Sequence, residues 1–118
     1  MTIEECYEKI GGNYEEVLGR MMRPALVRKF IMKFPADDSF AELCEQMKAG
    51  NRKEAFRAAH TLKGVCQNLG LGRLSFAAEK ITEILRPETE EIPKEAYTVF
   101  ETVKREYEET VAVINGIE

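Results

Sequence analysis

The chain of 118 residues is long enough for one domain with its own hydrophobic core, and its apolar and charged fractions are those of an ordinary globular protein. A net charge of −4 and the absence of any run of Lys or Arg argue against a nucleic-acid-binding surface. The apolar runs are far shorter than the roughly 20 residues of a membrane span, and no signal-peptide pattern opens the sequence. We therefore expect a monomeric, cytoplasmic protein that binds neither nucleic acid nor membrane.

Three short helices are predicted in the first third of the chain. Thr2 and Glu5 have the spacing of a capping box, and the helix that they open ends at Gly11-Gly12. Asn13 is a favourable N-cap for a second helix, and Pro24 suits the first turn of a third. This third helix is so rich in apolar residues that we expect it to be buried on more than one side.

Four longer helices follow. Pro35 disfavours helix in the residue before it, and Ser39 with Glu42 forms a second capping-box pattern. Gly50 and Gly70 are the residues expected just after a helix end. Apolar side chains recurring in steps of three and four then predict helices near residues 39–49, 52–69, 73–86 and 94–115.

Short connections between these helices predict the architecture. Neighbouring helices joined by only a few residues pack antiparallel, which favours an all-α fold with an antiparallel up-down four-helix bundle. We expect residues 37–118 to form the bundle and the helices of residues 1–36 to pack on it as a cap, within a single domain. The three cysteines, Cys6, Cys44 and Cys66, form no C-x-x-C pair and are odd in number, so we expect buried, reduced thiols.

The only histidine, His60, lies near the middle of the predicted helix 52–69. At 3.6 residues per turn, His60 projects roughly 130° away from the centre of this helix's apolar arc, so its side chain should face solvent. The arc consists of Phe56, Ala59, Leu62, Cys66 and Leu69.

Two neighbours of His60 on the helix surface are informative. Lys63 lies three residues on, where its ammonium group reaches the imidazole, and Gly64 lies four residues on. A glycine within a helix costs about 1 kcal/mol relative to alanine, and no turn or cap explains Gly64. We infer that the surface beside His60 must stay free of side chains.

These residues resemble a known signature. The pattern His60-x-Leu62-Lys63-Gly64-x5-Gly70 is similar to that of histidine-containing phosphotransfer (HPt) domains, and the resemblance extends over residues 12–86. It implies a phosphocarrier in a two-component phosphorelay. His60 would accept a phosphoryl group from the aspartate of a response-regulator receiver domain and pass it to another receiver, with a sensor or hybrid histidine kinase upstream.

The resemblance also implies roles for the residues around His60. Lys63 would stabilise the phosphoryl group, because no free backbone amides are available in mid-helix, and Gly64 would give the receiver access. Gln67 and then Arg57 are further candidate donors to the phosphoryl group, although a solvated helix face suits Gln67 as well and Arg57 better. Thr61 and Asn68 are also expected to contribute to binding. No cofactor is expected in this chain, and the receiver would supply magnesium.

Other classes of protein fit less well. A hydrolase would need a nucleophile beside His60, a di-iron bundle would need Glu-x-x-His repeats, and a kinase would need a glycine-rich phosphate loop. None of these patterns occurs in the sequence. The alternative that stays open is a non-catalytic helical adaptor that docks on receiver domains without carrying phosphate. The following helix offers Lys80, Thr82 and Glu83 but lacks the glutamine that some HPt domains present to the histidine.

Overall fold

The computed structural model describes residues 1–118, which form seven α-helices and one short 3-10 helix. The all-α fold is therefore confirmed, and the predicted ends of the four longer helices are correct to within one residue. The helices are α1 (Ile3–Lys9), α2 (Tyr14–Met21), α3 (Pro24–Lys33), α4 (Ser39–Ala49), α5 (Arg52–Leu69), α6 (Gly72–Leu85) and α7 (Lys94–Ile114), with the 3-10 helix Phe34–Ala36 between α3 and α4.

Side-chain caps start several of these helices where the sequence predicts them. Thr2 and Glu5 form the reciprocal capping box of α1, and Asn13 caps α2 by accepting a hydrogen bond from the Glu16 amide. The prediction of a capping box at Ser39 is wrong. Ser39 is the first helical residue of α4, and its amide and hydroxyl both donate to the Asp37 carboxylate. An acidic residue two positions earlier thus takes the capping role.

The core lies where α5 packs against α4 and α6, and where α6 packs against α7. On α5, the side chains of Ala55, Ala59, Leu62 and Cys66 are wholly buried. Aromatic rings join α4 to α7, with the rings of Phe40 and Tyr107 stacked at a centroid distance of 3.8 Å. The long α5 is therefore supported from two sides, and its remaining surface faces outward.

The first helices attach to one end of this core, at the turn between α5 and α6. The Tyr7 hydroxyl donates a 2.6 Å hydrogen bond to the Leu69 carbonyl, and the Arg73 amide donates to the Ile10 carbonyl at 3.0 Å. The backbones approach closely here, since a Cβ on Gly12 would lie 2.3 Å from the Gly70 carbonyl oxygen. Glycine is required at position 12 by this contact.

Burial of α3 differs from the prediction. Only one side of the helix is covered, with Val27 and Ile31 wholly buried, whereas Phe30 and Met32 are 42% and 43% exposed. A high apolar content does not itself cover a helix, and no further element packs over this side. No helix in the chain combines the length and the hydropathy needed to span a bilayer.

The cysteines are free thiols, as expected, but their burial is uneven. Cys6 and Cys66 are buried, whereas Cys44 is half-buried, so the expectation of burial is wrong for Cys44. Burial raises the pKa of all three thiols above the ordinary value, which keeps them protonated near neutral pH. None has the lowered pKa of a reactive thiolate.

Candidate functional site

The helix that carries His60 is fixed at both ends. Asn51 caps its start by accepting a hydrogen bond from the Glu54 amide, and Gly70 ends it in the left-handed conformation, with a φ of 64°. Between these ends, His60 is exposed on the side of α5 away from the buried Ala59 and Leu62. The structure therefore places the imidazole on a rigid, regular helix and open to solvent.

The imidazole packs on a single ring. The centroids of His60 and Phe56 are 5.8 Å apart, with the ring planes tilted by 53°. The sequence placed Phe56 on the buried arc of α5, but the side chain is only half-buried, because it lies at the edge of that arc. Phe56 thus belongs to the surroundings of His60 as well as to the margin of the core.

Lys63 and Gly64 complete this part of the surface. Lys63 is half-buried and takes part in none of the chain's ion pairs, so its ammonium charge is not already neutralised by a carboxylate. Gly64 is exposed, and a Cβ built on it would meet no atom within 4 Å. Packing within the chain therefore does not explain the glycine.

The other four predicted contact residues are spread along α5, and Arg57 also lines a groove with Phe56, the ring that contacts His60. Arg57 and Thr61 line a groove against the start of α4, where Arg57 pairs with Glu54 at 3.3 Å and the Thr61 hydroxyl donates to the Arg57 carbonyl. Asn68 lies against α3, and Gln67 lines a groove beside the α1–α2 connection. These residues are exposed but occupy three different edges of α5.

Of the three residues that the sequence offered from α6, Glu83 is electrostatically coupled to His60 and Lys63. Thr82 is buried and donates its hydroxyl hydrogen to the Ala78 carbonyl, and Lys80 lines a groove toward α7. Hydrogen bonding to Arg86 lowers the pKa of the Glu83 carboxyl, and the positive charges of Lys63 and of a protonated His60 lower it further.

Arg86 is the residue that sequence reasoning missed. Its guanidinium carbon lies 5.1 Å from the centroid of Phe56, on the ring that also contacts His60. A simple signal could have found it. Because α5 and α6 are joined by a two-residue connection at Gly70 and Leu71, positions at equal distances from this turn face each other. By that rule, position 85 lies opposite position 56, and Arg86 is the next residue along the chain.

The site has the groups needed for nucleophilic phosphoryl chemistry and lacks those for a metal centre. An exposed imidazole offers a ring nitrogen as nucleophile, and cations beside it can stabilise transferred negative charge. No three His, Cys, Asp or Glu side chains come together in a group that could hold a metal ion.

Comparison with known proteins gives one match. A family model described as the Hpt domain matches residues 26–112, which is well over half of the chain and includes all of α5 and α6. No curated protein and no solved structure matches the chain.

Proposed function

The chain belongs to the Hpt domain family, and from this membership we propose that it is a histidine phosphocarrier with His60 as the phosphoryl acceptor. The family implies involvement in phosphorelay phosphotransfer, with receiver domains and kinases as partners. Receiver-to-receiver relay is our proposal, as are cytoplasmic location and a monomeric state. The observation that carries the assignment is the exposed imidazole of His60 beside the open surface at Gly64.

The proposed reaction exchanges one bond to phosphorus for another. A neutral imidazole nitrogen of His60 attacks the phosphorus of an aspartyl phosphate on the receiver. The new N–P bond forms as the acyl P–O bond breaks, and the electron pair leaves with the aspartate carboxylate. The reverse step returns the phosphoryl group to a receiver aspartate. We expect the receiver to hold the magnesium ion at its own acidic pocket.

Lys63 supports this reaction electrostatically. Its ammonium group is not paired with a carboxylate, and its position one turn from His60 lets it approach the phosphoryl oxygens once they are bound. Such a contact stabilises the charge that is concentrated on the imidazole only after transfer has begun. Lys63 is therefore assigned to phosphoryl stabilisation and Gly64 to access of the receiver.

The architecture that we infer agrees with this use. The chain would form one domain, in which α4 to α7 make an antiparallel up-down bundle and α1 to α3 cap one end of it. The contacts of α5 with α4 and α6, and of α6 with α7, support this arrangement. The hydrogen bond from Tyr7 to Leu69 supports the place of the cap, at the end of α5 beyond Gly64.

The test is to mix the protein with receiver domains that carry labelled aspartyl phosphate. The wild type should acquire an acid-labile, base-stable label, and His60→Gln should acquire none while still binding the receiver. Binding without any label on the wild type would reject the phosphocarrier and favour the helical adaptor.

A further inference from the structure

Phe56 brings together two groups from different helices. Its ring contacts the His60 imidazole on α5 at a centroid distance of 5.8 Å, and the Arg86 guanidinium at the end of α6 lies 5.1 Å from the same centroid. A guanidinium over an aromatic ring is attracted by the negative charge of the ring face. Arg86 and the proposed phosphoryl acceptor therefore contact the same aromatic ring.

The backbone around Arg86 is fixed, although its side chain is half exposed. The buried Arg52 donates hydrogen bonds to the carbonyls of Leu85 and Thr89, at 2.8 Å and 2.7 Å, on either side of Arg86. These bonds hold the end of α6 against the start of α5. The Arg86 side chain can therefore change partners without any movement of the helices.

The present partner of Arg86 is Glu83, one turn earlier on α6. The Nη2 atom of Arg86 lies 2.7 Å from Oε2 of Glu83, and the Nε atom lies 3.2 Å from both carboxylate oxygens. Both side chains are about half exposed, and ion pairs in such surroundings contribute little to stability because water and salt screen them. Exchange of this carboxylate for another anion should cost little free energy.

Phosphorylation of His60 would supply that anion. The phosphoryl oxygens would repel the Glu83 carboxylate and attract the guanidinium, whose planar set of donors suits two-point binding of phosphoryl oxygens. We propose that Arg86 is a second phosphoryl-binding residue, which leaves Glu83 and binds the phosphoryl group of phospho-His60 while Phe56 holds it nearby. This inference rests on the proposed function, because it requires His60 to be the acceptor.

The experiment phosphorylates His60 with potassium phosphoramidate, so that no receiver domain is needed, and follows hydrolysis of phospho-His60 by phosphorus NMR. We expect Arg86→Ala to shorten the lifetime by about three- to tenfold, a range typical of losing a charged hydrogen bond at an exposed site. Arg86→Lys keeps the charge but loses the planar donor set, so its phospho-His60 lifetime should lie between those of the wild type and Arg86→Ala. Glu83→Gln should preserve or lengthen the lifetime, because Arg86 is then already free.

A matched control lies on α7. Lys104 sits 5.9 Å from the centroid of Phe100 and within 4.0 Å of the Glu101 carboxylate, so Lys104→Ala removes the same kind of contact on another helix. This variant should leave the lifetime unchanged. In the wild type, the Arg86 Nε–H resonance should also shift when His60 is phosphorylated, which a purely structural role would not produce.

Two negative results are distinguishable. If phosphoramidate phosphorylates His60 and Arg86→Ala, with unchanged helicity, hydrolyses at the wild-type rate, the role of Arg86 is overturned and the proposed function stands. If folded wild-type protein cannot be phosphorylated on His60 at all, the role of Arg86 and the proposed phosphocarrier function are both overturned.

Discussion

The inward and outward sides of α5 differ in how closely they are packed. Inward, Ala55, Ala59 and Leu62 have no exposed surface at all. Outward, His60 contacts one aromatic ring, and a Cβ atom at Gly64 would meet nothing within 4 Å. The same helix thus carries the core on one side and the proposed chemistry on the other. Substitutions on the inward side should therefore lower stability, whereas substitutions on the outward side should change phosphotransfer without loss of stability.

The largest effect is expected on the outward side. His60→Gln should remove all phosphoryl label, because no other imidazole exists in the chain. The free energy of unfolding should change by no more than about 0.5 kcal/mol, as for other exposed positions. Label transfer and urea denaturation on the same preparation test both statements. A variant that unfolds would show that His60 also supports the core, and the separation of the two sides would be wrong.

On the inward side, Leu62→Ala should have the opposite pattern. Leu62 is wholly buried, and replacing a buried leucine by alanine costs about 2–5 kcal/mol of unfolding free energy. At temperatures where the variant is still folded, His60 should accept label at nearly the wild-type rate. Gln67→Ala, exposed on the same helix, is the control for stability and should stay within about 0.5 kcal/mol. Loss of transfer by folded Leu62→Ala would show that the two sides are coupled.

A smaller effect is expected at the end of α5 that the first helices cover. Tyr7 is 1% exposed and its hydroxyl donates to the Leu69 carbonyl, so Tyr7→Phe should cost about 1–3 kcal/mol at neutral pH by leaving that carbonyl unpaired. Denaturation measurements check this, with Tyr97→Phe as control. Tyr97 is 43% exposed, and its hydroxyl makes a longer, 3.2 Å hydrogen bond to the Met47 carbonyl. Loss of this bond should therefore lower the free energy of unfolding by less.

The same tyrosine predicts a pH dependence. Burial raises the pKa of the Tyr7 phenol in the folded protein, so the folded state binds its proton more tightly than the unfolded state does. The stability that this proton provides is present below the unfolded pKa of about 10 and is lost as the pH rises above it. Tyr7→Phe should therefore lose less stability between neutral and alkaline pH than the wild type. If the wild type and Tyr7→Phe lose equal stability, local structure must protect the Tyr7 phenol in the unfolded chain as well.

Local signals in the sequence were sufficient to predict the helices and the exposed position of His60, but they did not predict the groups contributed by other helices. Caps such as Asn51 and the spacing of apolar residues define α5 and point His60 outward, because both act within a few residues. Arg86 was missed because its place beside Phe56 depends on how α6 packs against α5. Phe30 was misjudged for a similar reason, since hydropathy does not tell which sides of a helix another element will cover.

Substitution of Gly64 is the most sensitive test of the difference between the two sides of α5, because its expected effects on stability and on phosphotransfer are both small. Gly64→Ala places the best helix former at an exposed helical position with space for its methyl group, so stability should rise by up to about 1 kcal/mol. The methyl group would stand one turn from His60, where a receiver must approach. Phosphotransfer should therefore fall stepwise from Gly to Ala to Gln at this position, while the melting temperature rises or holds.

Gly19 provides the matched control, since it also lies within a helix, is exposed, and would present a Cβ to no atom within 4 Å. Gly19→Ala should gain a comparable stability from helix propensity alone, with no change in transfer, because α2 does not carry the acceptor. Melting temperatures and transfer rates of the variants at positions 64 and 19 test whether the open surface at Gly64 serves access of the receiver. If transfer is indifferent to residue size at position 64, as at position 19, the open surface beside His60 does not serve the receiver. If only the variants at position 64 lose transfer while both glycine positions gain stability, access is the property for which that glycine is kept.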